Sequence, residues 1–204
     1  MELYESTKLA IVREELIAHA KNHALYKNVL DTNGHIVFGR GEDSAKILFI
    51  GEAPGFSENE KGKPFVGRSG SLLEEWVKEL EIGKEDYAIM NVVPIIPLSE
   101  EKKIRPPTQQ EIDYFLPLTM KMINTINPEL IVLLGKSAAR AFGLEAMRVG
   151  ETREHLGKRM HFLYHPAYHL RNGRKGFEDL AKLKALLSAS EKKEKKKQTS
   201  LGNF

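Results

Sequence analysis

The sequence predicts an α/β protein, a single three-layer α/β/α domain around a central four-stranded parallel sheet. Three observations carry this expectation. Four short, nearly continuous apolar runs have the character of strands buried on both faces. Helical patterns separate those runs, and strand–helix alternation builds parallel sheets covered on both sides. A chain of 204 residues, 41% hydrophobic and 29% charged, has the size and composition of one folded domain, not of a disordered or fibrous protein.

The elements follow in order. Leu9, Val12, Leu16, Ala20 and His23 keep helical spacing, which predicts an amphipathic N-terminal helix ending near Leu25. Strands are expected over 46–51, 88–93, 130–135 and 161–165. Between them, Leu72, Leu73, Trp76, Val77 and Leu80 mark one helix. A second, over 112–126, is opened by Thr108 with Glu111 three residues on, the spacing of a capping box. A shorter helix is expected over 137–142. The domain is assigned to 1–187 and a flexible basic tail to 188–204.

The formal net charge of +3 is accounted for by the tail, where residues 191–197 hold five lysines and two glutamates. Global charge therefore says nothing about partners. Local charge says more, because 148–175 carries seven Lys or Arg against Glu151 and Glu154, a candidate basic patch. With no cysteine in the chain, disulfides, thiolate metal sites, cysteine nucleophiles and cysteine-held iron–sulfur clusters are all excluded. The longest apolar runs are strand-length, and the N-terminus lacks a signal-peptide pattern, so a cytoplasmic protein with no membrane contact is expected.

Ligands of doubly covered parallel sheets bind at the carboxyl ends of the strands. After the first strand comes the tight turn Gly51-Glu52-Ala53-Pro54-Gly55, then Glu58, then Phe65 and the helix start Arg68-Ser69-Gly70, where free N–H groups and a hydroxyl suit a phosphate. The second strand delivers Asn91, the third Gly135-Lys136-Ser137, and the fourth His165-Pro166-Ala167. Each has a plain structural explanation when taken singly. Together they converge on one crevice.

This constellation resembles the uracil-DNA glycosylase superfamily, most closely its family-4 type. Gly51 to Gly55 with Glu58, Pro64 to Gly70 with Leu72 and Leu73, Asn91-Val92-Val93, Pro107-Thr108 with Glu111, Leu134-Gly135, and His165 to Tyr168 with Leu170-Arg171-Asn172 stand in the family's order. The resemblance implies a monofunctional hydrolase that turns uracil out of DNA and cuts its N-glycosidic bond, starting base excision repair. It implies Glu52, Asn91 and His165 as catalytic residues, and Gly51, Ala53, Phe65 and Asn91 around the base. It places Arg68, Ser69, Gly135, Lys136, Ser137, Tyr168, Leu170 and Arg171 on the DNA, with Tyr168 and Leu170 as wedges and Arg171 on a phosphate. One departure is large: the family-4 iron–sulfur cysteines align with Ala20, His23, Ile95 and Phe115, so no cofactor is expected. The loop from Pro94 to Pro107 is also long and lacks the histidine with which one branch of the superfamily bonds DNA, so no adduct is expected.

The last residues, Gln198, Leu201 and Phe204, have the spacing of a peptide that binds the PCNA sliding clamp. A clamp of that type and the Lys/Glu-rich composition point to an archaeal source. A monomer is expected. Two other readings remain open in the sequence: a glycosylase for another deaminated or mismatched base, and a silent DNA- or clamp-binding homologue. The histidine pairs His19/His23 and His165/His169 have metal-ligand spacing but no nearby acidic third ligand, and no metal is expected.

Overall fold

The computed structural model describes residues 7–190. It is a six-stranded mixed sheet with helices on both faces. Helices α1 (Thr7–Lys21) and α2 (Tyr26–Asp31) precede strand β1 (Gly39–Gly41). There follow β2 (Ile47–Gly51), α3 (Phe56–Lys61), α4 (Arg68–Glu79), β3 (Tyr87–Asn91), α5 (Gln109–Ile126), β4 (Leu130–Leu134) and α6 (Lys136–Ala141). The described chain closes with β5 (Thr152–His155), β6 (Lys158–Leu163), α7 (Pro166–Arg171), a 3-10 turn (Phe177–Leu180) and a helix, α8, over 181–190.

Strand order is β1-β3-β2-β4-β6-β5. The four expected strands are the parallel centre, β3-β2-β4-β6. The sheet is larger than expected because β1 and β5 flank this centre antiparallel. Neither edge strand carries an apolar run: β1 reads Gly-Arg-Gly and β5 Thr-Arg-Glu-His, so nothing in their composition marks them. The N-terminal helix also stops at Lys21, before the expected Leu25, and the chain turns helical again in α2. At the other end, residues 188–190, expected to open the tail, are still helical within α8.

Successive side chains along the central strands point into two different buried faces. Leu48, Ile50, Ala88, Met90, Ile131, Leu133, Met160 and Phe162 join α1, α5 and α6 in one core cluster. Their neighbours Ile47, Phe49, Tyr87, Ile89, Leu130, Val132 and Leu163 pack against Leu72, Leu73, Trp76 and Val77 of α4 and Leu183 of α8 in the other. Period-two alternation between two apolar faces is why these strands read as continuous apolar runs. The α5 cap forms as expected, with Thr108 Oγ1 accepting from Glu111 N at 3.2 Å and Glu111 Oε2 from Thr108 N at 2.7 Å.

Candidate active site

The carboxyl ends of the parallel strands open onto a cavity of about 440 Å³. Its wall includes Glu52, Ala53, Phe65, Ser69, Asn91, His165 and Arg171, drawn from separate stretches of chain. Gly51 lies behind this wall: a Cβ there would come within 2.5 Å of Asn91 Oδ1 and 2.6 Å of the Phe65 ring. Only glycine lets those two side chains meet across the strand end.

Asn91 is the last residue of β3 and is 4% exposed. Its Oδ1 is buried and, among the described residues, has no hydrogen-bond partner. An open buried acceptor costs about 1–3 kcal/mol, so this position favours an N–H group arriving from a ligand. The Phe65 ring lies beside it, with its centroid 5.4 Å from that of His165 and the planes 32° apart.

His165 caps α7, its Nδ1 accepting from Ala167 N at 3.1 Å. Burial, reinforced by the Arg171 charge, pushes its pKa down to about 4. The imidazole is therefore neutral at pH 7, and with Nδ1 accepting, the proton sits on Nε2. Burial raises the Glu52 carboxyl pKa, while a hydrogen bond from Ser137 and the charges of Arg140 and Arg171 oppose the rise. The site thus holds a neutral imidazole together with a carboxyl whose pKa burial raises.

Around the mouth, Ser69 and Arg171 line the cavity, while Arg68 and Lys136 stand on the first turns of α4 and α6. Gly135 and Ser137 stand at the start of α6 outside the wall, with the Ser137 hydroxyl engaged by Glu52. Tyr168 is 42% exposed, whereas Leu170 is half-buried against the α4-side core. That difference leaves Tyr168 the more accessible of the two side chains. Their helix is anchored by His169, which is buried 3.2 Å from Asp179 and edge-on to Trp76 at 5.5 Å. The basic patch is partly spent in pairs, Arg153 with Glu151 at 2.6 Å and Lys175 with Glu75 at 2.7 Å.

Two features escaped the sequence reading. Pro97, Ile104, Arg105 and Pro106 of the long loop form another wall, with Arg105 held by both oxygens of Glu111 at 2.8 and 2.6 Å. Glu58, noted only as part of a motif, accepts three backbone N–H groups: Gly55 at 3.1 Å, Val66 at 3.2 Å and Gly67 at 2.9 Å. Its position three residues after Gly55 was a readable capping signal.

Ala20, Ile95 and Phe115 are fully buried in the α1–α5 core, and the His23 ring lies 5.2 Å from that of Phe115. His19 stacks on Tyr114 at 4.1 Å. A region filled by apolar atoms and engaged imidazoles, in a chain without a thiolate, does not fit an iron–sulfur cluster. Among the described residues no group of three or more His, Cys, Asp or Glu could hold a metal, and no helix is long and apolar enough to cross a membrane.

Fold and site together define an α/β protein with one cavity wall built from Glu52, Phe65, Asn91 and His165 at the carboxyl ends of its parallel strands. The sequence model of the Uracil DNA glycosylase superfamily matches residues 38–189, and the chain belongs to that superfamily. It is 35% identical over 165 residues to a Type-4 uracil-DNA glycosylase of Thermotoga maritima, covering 75% of this chain and 83% of the relative. A Type-4 uracil-DNA glycosylase of Archaeoglobus fulgidus is 34% identical over 148 residues, 67% of this chain and 72% of the relative. One of Pyrobaculum aerophilum is 34% identical over 142 residues, 65% and 70% of the two chains.

Proposed function

We propose that this chain is a monofunctional uracil-DNA glycosylase that works without an iron–sulfur cluster. The observation that carries the reading is the unpartnered Asn91 Oδ1 in a cavity that also holds the neutral His165. Uracil presents N3–H to that oxygen and O4 to the Asn91 amide N–H, whereas cytosine offers an acceptor at N3 and a donor at C4 and leaves both amide atoms mismatched. Phe65 supplies the stacking face. His165 Nε2–H donates to uracil O2, where negative charge gathers as the C1′–N1 bond breaks. Glu52 takes a proton from the water whose oxygen bonds to C1′, the base leaves with the C1′–N1 electron pair as its N1 anion, and that anion takes up a proton as Glu52 releases one, so the products are an abasic site and free uracil. Arg68, Lys136 and Arg171 face the DNA backbone, and Tyr168 fills the gap left by the turned-out nucleotide.

The test is single-turnover excision from oligonucleotides carrying one uracil, with alkali to cleave abasic sites. Because the Glu52 pKa is raised and the carboxylate is the active form, the rate climbs with pH through a limb above the usual glutamate range. Glu52→Gln is expected to lower the rate by about a hundredfold and to abolish that limb. A limb that survives in Glu52→Gln would assign it to another group.

We also propose that the protein acts as a monomer tethered to a PCNA-type sliding clamp through Gln198, Leu201 and Phe204, which lie outside the described residues. Deleting 198–204 is expected to abolish clamp binding measured by calorimetry while leaving excision from short oligonucleotides intact. Undiminished binding by the truncated chain would refute the tether.

A further inference from the structure

We propose that Glu58 is a positioning residue for base excision, acting through Phe65, because its carboxylate ties the turn after β2 to the backbone that carries the stacking ring. The inference rests on the reading of Phe65 as the face on which the base stacks. Oε2 accepts from Gly55 N at 3.1 Å, and Oε1 accepts from Val66 N at 3.2 Å and Gly67 N at 2.9 Å. The first donor belongs to the turn that carries Glu52 and Ala53. The other two are the amides that directly follow Phe65.

Phe65 needs such a tie. Its φ of 53° is left-handed, a conformation that a bulky side chain does not hold without support. Arg40 holds the other side of the same segment, its Nε donating to Pro64 O at 3.0 Å. The Phe65 ring then lies against Gly51 and Asn91, so a shift of the segment moves the stacking face relative to the base-reading amide.

The donor set requires a carboxylate. Three N–H groups meet two acceptor oxygens, and the NH2 end of a glutamine amide would confront an N–H on one side. The turn is also shaped around this carboxylate, since a Cβ on Gly55 would lie 2.9 Å from Oε2. With φ of −89°, alanine at Gly55 meets no backbone strain, so its effect would pass through Glu58.

A double-mutant cycle tests the proposal, with melting temperatures measured for every variant. Glu58→Gln is expected to lower kcat about tenfold to a hundredfold with KM within about threefold, because the base is bound but misaligned. Gly55→Ala is expected to reproduce that pattern. In a Phe65→Ala background, Glu58→Gln should add no further loss, since the group through which it acts is gone. Losses that multiply, a change confined to KM, or a kcat decrease that only tracks lost stability would overturn the role of Glu58. A Phe65→Ala variant with wild-type kcat is a separate outcome that removes the stacking reading and this proposal with it.

Discussion

Asn91→Ala is expected to lower the single-turnover rate of uracil excision by about a hundredfold to a thousandfold. Without the amide, uracil N3–H and O4 are left unpaired in a buried site, at a cost of about 1–3 kcal/mol for each group. The same variant should keep its fold, because Asn91 Oδ1 has no partner to lose among the described residues. Asn91→Asp sharpens the expectation: a carboxylate accepts from the cytosine amino group and repels uracil O4, so uracil excision should fall while cytosine excision becomes detectable. Parallel assays on uracil- and cytosine-containing oligonucleotides check both variants. Wild-type excision by Asn91→Ala would remove the base-reading role from this residue.

His165→Ala is expected to cost about a hundredfold to a thousandfold in kcat, the loss typical of removing one donor to developing negative charge. The pH dependence distinguishes the form of that donor. With a pKa of about 4, His165 stays neutral at and above neutral pH, so it contributes no limb there. An imidazolium donor would instead show the rate falling as pH rises through about 6.5. The pH–rate profile of the wild type, read beside that of Glu52→Gln, decides between the two. A descending limb that disappears in His165→Ala would show a charged donor.

The environments of Glu52 and His165 differ in one respect. Both side chains are taken from water, which favours the uncharged form of each. For His165 the neighbouring Arg171 adds to that tendency, since its charge also disfavours the imidazolium. For Glu52 the Ser137 hydroxyl and the charges of Arg140 and Arg171 pull the other way. Arg171 therefore acts on both groups, favouring the neutral imidazole of His165 and the ionised carboxylate of Glu52.

Much of this was readable in the sequence. Strands buried on both faces must be apolar at every position, which made the four parallel strands and the residues at their ends legible. The capping box at Thr108 and the motifs around Glu52, Asn91 and His165 are local, and local patterns survive in one dimension. The edge strands β1 and β5 were hidden because an exposed edge needs no apolar run, and their pairing is set by neighbours far along the chain. Only the tertiary structure decided that Asn91 Oδ1 is left open, that His165 is neutral with its proton on Nε2, and that Glu58 ties the Gly55 turn to the amides after Phe65. It also separated Tyr168, turned to solvent, from Leu170, turned to the core. Burial, hydrogen-bond partners and local field come from residues remote in sequence, and their effects on each group arise only once the chain is folded.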